Sequence, residues 1–501
     1  MGTLFGLESG RPALNNPVMR PICTCILLLT FVLAGCATNP VTGKQDFALI
    51  SEAKEIEQGR KFHRHIIARY GVYDDPELQQ YVDEIGQGLA RNSHRGHLEF
   101  TFTVLDSPEI NAFALPGGYI YITRGIMAYL DSEAELAGVL GHEIGHVTAR
   151  HSVRQQAGQF ASDLLTVLIG ATTGSDALSR IGQTLGTGIV RGYGREHELE
   201  ADRLGAQYLH RSGYDPENML GVIGVLKDQE VYERKLAQKE NRQASVYHGV
   251  FSTHPRNDDR LKTVVRAARK LSASEYRDDN QRLYRDLIDG MLWGPSLKQG
   301  IVVSNRFAHP GLAIALQFPS GWKVVNNPDF LMARQLQTGA LIQVTLENRA
   351  KDESPSALLK RITRNNDLRV NSGDYGVTAR VEVRPPNGKD KQPARLTAIA
   401  LDKVRTLVLL ATAGKQHFAN ADKRFIEVNQ SFKRLSESEV EAIEVPRLRL
   451  VPAGSVSSFA GLAEQSALEY DAENRLRLLN RAFPAGEIEP GTRLKTIAVY
   501  E

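Results

Sequence analysis

The sequence predicts an α+β protein of several domains, helical through about residue 295 and strand-rich beyond residue 300. Two patterns carry that expectation. Leu78, Tyr81, Val82, Ile85 and Leu89 recur at helical spacing, whereas Leu98–Leu105 and Tyr119–Thr123 alternate as strands do, and such runs dominate after residue 300. A length of 501 residues allows several cores at roughly 100–200 residues per domain. With 42% hydrophobic and 24% charged residues and a net charge of +3, the chain is neither disordered nor a coiled coil. Its charges form no basic block, which excludes a nucleic-acid footprint.

The N-terminus reads as an address. From Pro21 to Gly43 there is no charged residue, and Ile26–Leu33 is the most apolar stretch. That is shorter than the roughly 20 apolar residues of a membrane span and fits the h-region of a secretory signal. Leu33-Ala34-Gly35-Cys36 is similar to the lipobox of bacterial lipoproteins. The resemblance implies that residues 1–35 are a signal peptide and that lipid on Cys36 anchors the mature chain on the periplasmic side of a membrane. Ala37 rather than Asp follows the cysteine, which points to the outer membrane. The three cysteines are Cys23, Cys25 and Cys36, so no thiolate can serve a site downstream. A metal must be held by His and carboxylate.

Along the mature chain, a polar entry over residues 37–75 leads into a helix at Pro76–Arg91. Two strands follow, with Pro116-Gly117-Gly118 as the turn before the second. A helix then starts near Ser132, with Asp131 or Ser132 as its cap and Glu133 and Glu135 suiting the dipole of its first turn. The segment 160–194 is rich in Leu, Ile, Gly and Thr, but Asp163, Asp176 and Arg180 rule out a membrane span. It reads as a lid over a cleft, as core helices or as a membrane-surface contact. Past residue 300, strands are expected at 312–318, 340–346, 377–383, 396–401 and 405–411, and helices at 356–364 and 418–435. The acidic run 436–446 reads as a linker, and the last 55 residues as strand, helix, helix, strand.

One motif carries chemistry. His142-Glu143-Ile144-Gly145-His146 is an HExxH. Positions i and i+4 lie on one helical face, so both imidazoles can address one Zn2+, with Glu143 turned about 100° away beside it. A catalytic zinc takes three protein ligands and leaves one position open. The third should come from another helix, and the segment 196–203 offers several groups. Glu198 and Asp202 are also i and i+4, so one could bind metal while the other accepts a hydrogen bond from a ligating histidine. Glu196 would not share that face, Glu200 reads as a solvated surface charge, and His197 stays open as a ligand. Gly145 costs about 1 kcal/mol relative to Ala inside a helix, for which close backbone packing is a reason.

HEIGH and ELEAD (198–202), with NAFALPGG (111–118) before and STHP (252–255) after, resemble a gluzincin-type zinc metallopeptidase family that includes HtpX, the CAAX prenyl endopeptidases and BepA-type periplasmic lipoproteins. The resemblance implies a mainly helical zincin-type domain over residues 36–295, with a small sheet. It makes His142, His146 and Glu198 the ligands of one zinc, Glu143 the general base and Asp202 the partner of a ligand. Asn111, Ala112, Phe113 and Ala114 would form a substrate-binding edge strand, to which an extended peptide adds by main-chain hydrogen bonds. His254, assigned a catalytic place, stays open between oxyanion donor, inhibitory zinc ligand and structural residue; Tyr247 and His248 are weaker candidates.

Residues 447–501 are similar to the LysM pattern, a βααβ module associated with peptidoglycan, but Ser455-Val456 stands where Asp-Thr is usual. Peptidoglycan contact and a structural role both stay open for it. Residues 300–435 form an α+β domain without a catalytic constellation. The expected function is a lipid-anchored zinc endopeptidase acting on misfolded or stalled envelope proteins. An assembly or chaperone-like lipoprotein with a latent site is the alternative, and a scaffold acting through the C-terminal module is a third.

Overall fold

The computed structural model describes residues 36–38, 40–43, 45–47, 50–155, 194–240, 266, 268, 270–271, 275–303, 305–326, 330–384, 390–468 and 470–500. The signal segment, most of 160–194, and Tyr247, His248 and His254 therefore lie outside the described residues. No described helix is long and apolar enough to cross a membrane.

The chain opens with a short antiparallel pair, β1 (Cys36–Thr38) and β2 (Gln45–Phe47). Helix α1 (Glu52–Tyr70) is capped by Ser51 and α2 (Pro76–Arg91) by Asp75, with proline at the first position of α2. Strands β3 (Thr101–Leu105), β4 (Ala112–Leu115) and β5 (Tyr119–Thr123) form a sheet in the order β3-β5-β4. β3 runs parallel to β5, and β4 antiparallel to it. After the short α3 (Arg124–Met127) comes α4 (Glu133–Thr148), capped by Ser132, whose hydroxyl accepts from the Glu135 N–H. All sixteen residues of α4 are buried, because it packs on α2, β4, α5 (Arg195–Arg211), α6 (Asn218–Lys239) and α7 (Gln281–Ile288).

Beyond residue 300 the chain is mixed α and β, built on antiparallel sheet. Strands β6 (Ile301–Val303), β7 (Arg306–His309) and β8 (Ile314–Gln317) join β16 (Lys433–Arg434) in one sheet. The second has seven strands in the order β12-β13-β14-β15-β11-β10-β9. These are β9 (Lys323–Asn326), β10 (Leu331–Arg334), β11 (Leu341–Asn348), β12 (Asn371–Gly373), β13 (Gly376–Val383), β14 (Gln392–Ala400) and β15 (Arg405–Thr412). Helices α8 (Pro355–Thr363) and α9 (Phe418–Gln430) pack on it.

Three expected boundaries move, each through a local cause. The strand at 312–318 begins at Ile314, because Pro310–Leu312 forms a 3-10 turn and Ala313 sits at φ 49°. The helix expected to 435 stops at Gln430, since Lys433 and Arg434 pair with β8 instead. The expected linker 436–446 is ordered. Ser436 and Glu439 form a capping box that starts α10 (Glu437–Glu441), and Val445 begins β17 (Val445–Pro452).

The last residues give β17, α11 (Phe459–Glu464), α12 (Ala472–Leu479) and β18 (Arg493–Tyr500), with β17 antiparallel to β18. This unit has no separate core: Leu448, Phe459, Leu476, Leu479 and Ile497 belong to the same apolar cluster as Leu136, Leu140 and Ile144 of α4. Its polar residues hold the start of α4. The Lys495 ammonium, fully buried, donates to the Ala128 and Leu130 carbonyls at 3.0 and 2.6 Å and lies 2.8 Å from Asp131. Arg481 pairs with Glu135 and donates to the Gly221 carbonyl. At the other end of α4, buried Arg95 donates to the Val147 carbonyl and to Glu55, both at 2.9 Å.

Lys495→Met takes the buried donor from the Ala128 and Leu130 carbonyls and removes one of the three cations around Asp131, leaving Arg285 and Arg481. It is expected to lower the unfolding free energy by about 3–5 kcal/mol, read as a lower urea midpoint at unchanged slope. Burial alone would raise the Asp131 carboxyl; Lys495, Arg285 and Arg481 outweigh it and hold the group at about 2 against an ordinary 3.8. The stability it contributes is present above 3.8 and lost as pH falls toward 2. Asp131→Asn should therefore flatten the loss of stability on acidification through that window.

Candidate metal centre and active site

The site is made where two helices touch. Buried residues of α5 recur as Glu198, Ala201, Asp202, Gly205, Ala206 and Leu209, a stripe that faces α4. The helices meet at glycines: a methyl built on Gly145 would lie 2.9 Å from the Ala201 carbonyl oxygen, and one on Gly205 3.0 Å from the His142 backbone nitrogen. Close packing is thus the reason that Gly145 sits in mid-helix. It brings the side chains of α5 into the plane of the HExxH turn.

His142, His146 and Glu198 converge there, all buried, with one donor atom from each within 4.8 Å of the others. The two Nε2 atoms are 3.0 Å apart. Glu198 places one oxygen 3.6 Å from His142 Nε2 and the other 3.6 Å from His146 Nε2. Ligands of a tetrahedral zinc at 2.0–2.1 Å stand about 3.3 Å from one another, and the three donors bracket that spacing. Two imidazoles and a carboxylate are a donor set that suits zinc. His142 turns its other nitrogen, Nδ1, to Asp202 at 2.9 Å, the arrangement that fixes a ligating tautomer.

His146 is held differently, through His151, which the sequence did not single out. Its Nδ1 lies 2.8 Å from Nδ1 of His151, whose Nε2 lies 3.1 Å from Glu200. Arg154 donates to the same Glu200 oxygen at 2.8 Å. Glu200 is therefore not the solvated surface charge expected: its side chain is 14% exposed, and hydrogen bonds from His151 and Arg154 hold its carboxyl at about 2. It does point away from Glu198's face, but toward the segment after α4 rather than water. Arg150, at φ 54°, turns the chain there and lets His151 fold back under His146. His197 stacks on His151 with centroids 4.3 Å apart and lies outside the three-residue cluster; burial, with His151 beside it, lowers its pKa to about 4. The available signal was a histidine five positions beyond His146, just past the end of that helix.

Glu143 is 2% exposed. With His142 it lines a small apolar pocket whose other walls include Ala112, Gly138, Val139 and Met219, so β4 and Glu143 border one space. Strand β4 is at the edge of its sheet. Asn111 and Ala112 are buried, Phe113 is half-buried, and Ala114 is buried. Asn111 Oδ1 lies buried without a hydrogen-bond partner among the described residues.

Glu198→Ala is expected to strip the metal from the purified protein, whereas Glu196→Ala, at an exposed position of α5, should leave metal content unchanged. Gly145→Ala should cost about 1–3 kcal/mol through overpacking despite its better helix propensity, and lower metal content with it. Metal analysis and thermal melts of the three variants test both statements.

The peptidase family M48 model matches residues 76–268. The Escherichia coli beta-barrel assembly-enhancing protease is 26% identical over 462 residues, covering 79% of this chain and 92% of that protein. The Arabidopsis thaliana mitochondrial metalloendopeptidase OMA1 is 30% identical over 197 residues, covering 39% of this chain and 37% of that one. Among solved structures, the yeast Ran-binding protein Mog1p is matched at TM-score 0.20 and 13% identity, over 27% of this chain and 98% of that one. The family match spans α2, the HExxH helix and α5 with Glu198, so residues 76–268 carry a peptidase family M48 domain, and the chain is a metalloendopeptidase.

Proposed function

We propose that the chain is a zinc-dependent endopeptidase, held by lipid on Cys36 at the periplasmic face of a bacterial outer membrane, that hydrolyses peptide bonds of misfolded or stalled envelope proteins. The observation that carries this reading is the convergence of His142, His146 and Glu198, with Glu143 in the same turn of α4. His142, His146 and Glu198 would hold the zinc, which when bound polarises the scissile carbonyl and acidifies water. Glu143 takes the proton as the water oxygen attacks the carbonyl carbon, and returns it to the amine as the C–N bond breaks. Asp202 keeps the hydrogen of His142 on Nδ1, leaving Nε2 free to ligate.

The substrate's main chain pairs with the edge of β4, and the buried Asn111 Oδ1 accepts one of its N–H groups. Such pairing needs a segment whose backbone groups are not already bonded to one another, so unfolded chains are selected over folded ones. The similarity to a beta-barrel assembly-enhancing protease supports envelope proteins as the substrate class. The apolar run 26–33 with Cys36 behind it supports the anchor. His254 keeps its two functional roles, donor to the developing oxyanion or inhibitory ligand, and His254→Ala separates them: activity falls in the first case and rises in the second.

The test is degradation of an unfolded model protein by the form lacking residues 1–36, compared with Glu143→Gln and with wild type plus a chelator. Cleavage by wild type alone is expected, with Glu143→Gln retaining its metal. Turnover by Glu143→Gln would overturn the assigned base. Absence of cleavage in every sample at full metal content would favour an assembly factor with a latent site.

A further inference from the structure

We propose that His151, backed by Glu200, is the positioning residue that fixes the tautomer and orientation of His146 at the metal centre. The inference rests on the reading of His142, His146 and Glu198 as the ligand set. His146 directs Nε2 toward Glu198 and His142 Nε2, so that nitrogen must offer its lone pair if a metal is bound. The ring hydrogen then sits on Nδ1. That atom lies 2.8 Å from His151 Nδ1, and two imidazole nitrogens at that separation share one hydrogen: one donates and the other accepts. His146 therefore donates and His151 accepts. This places the hydrogen of His151 on Nε2, directed at Glu200 Oε2 3.1 Å away, and Arg154 donates to the same oxygen. One assignment of hydrogens satisfies these contacts, and it is the one in which His146 Nε2 offers its lone pair to a metal.

The two ligand histidines are thus supported unequally. His142 rests directly on the Asp202 carboxylate, whereas His146 reaches its carboxylate through a second imidazole. His151 is fully buried and stacked on His197 at 4.3 Å, so its ring cannot swing away, and the direction of its Nδ1 lone pair sets the plane of His146. Partners of this kind typically change metal affinity 10–100-fold when removed.

The experiment measures zinc affinity of the purified protein by competition with a chromophoric chelator, alongside the thermal melt of the metal-free form. His151→Leu removes the acceptor and is expected to weaken zinc binding about 10–100-fold. His151→Asn places its Oδ1 near the lost Nδ1, accepts from His146 and should recover most of that affinity. Glu200→Ala should weaken zinc about 10-fold, and Glu200→Gln, which still accepts from His151, should restore it. A merely structural role would lower the melting temperature in step with zinc affinity and would not separate Asn from Leu or Gln from Ala. Wild-type zinc affinity in His151→Leu and Glu200→Ala, or equal loss in each variant and its conservative counterpart, would overturn the proposal. Glu198→Ala is the control: should it also bind zinc as wild type does, the ligand set itself is wrong and not the support of His146.

Discussion

The contact on which the site depends is the approach of α4 to α5 at Gly141, Gly145, Ala201 and Gly205. Carboxylates reach only a short way from a helix, and with ordinary side chains at the seam the helix axes would stand farther apart, since packed helices are typically separated by 8–10 Å according to the residues between them. Here a methyl at Gly145 would already meet the Ala201 carbonyl oxygen at 2.9 Å. The glycines cost helix propensity and return a geometry in which Glu198 lies 3.6 Å from both imidazoles. Substituting larger residues would not merely loosen the core. It would open the spacing of the three donors, so packing and coordination are set by the same few atoms.

A helix buried on every side poses a second problem, because its terminal N–H and C=O groups and its early carboxylates need partners away from water. The molecule answers with charge from distant parts of the chain. Glu133 accepts from Tyr81, Tyr214 and Asn280, Asp131 lies against Lys495 and Arg285, and Arg95 donates to the Val147 carbonyl. These contacts tie α2, the turn after α5, α7 and the C-terminal strand pair to one rod. The rod's position is thereby over-determined, as a centre that must hold three donors in fixed relation requires.

Much of this was legible in the sequence wherever the signal is local. Spacing of four placed His142 with His146 and Glu198 with Asp202, and Ser132 was readable as a cap. The structure brings His142, His146 and Glu198 together and sets Asp202 against His142. Glu200 was misread because a helical wheel distinguishes one face from another but does not say that both are covered; α5 has a second neighbour in the segment 150–155. The capping box at Ser436 and Glu439 was present in the acidic run, but charge density drew the reading toward a linker. Nothing local marked Lys495 as buried, since its partners lie some 365 residues earlier in the chain. Nor did the βααβ pattern reveal that its apolar side chains continue the core around α4.

That shared core carries a consequence for the timing of biogenesis. Synthesis delivers a chain from its N-terminus, and the first 295 residues contain the whole donor set. The cluster around α4 nevertheless stays open until Leu448, Phe459 and Ile497 arrive to cover it and Lys495 closes over Asp131. A half-delivered molecule thus holds its metal donors on a helix whose first turn is unsupported. The C-terminal strand works as a fastener: the helix that carries the metal donors is covered and its start is paired only once residues 445–500 are in place.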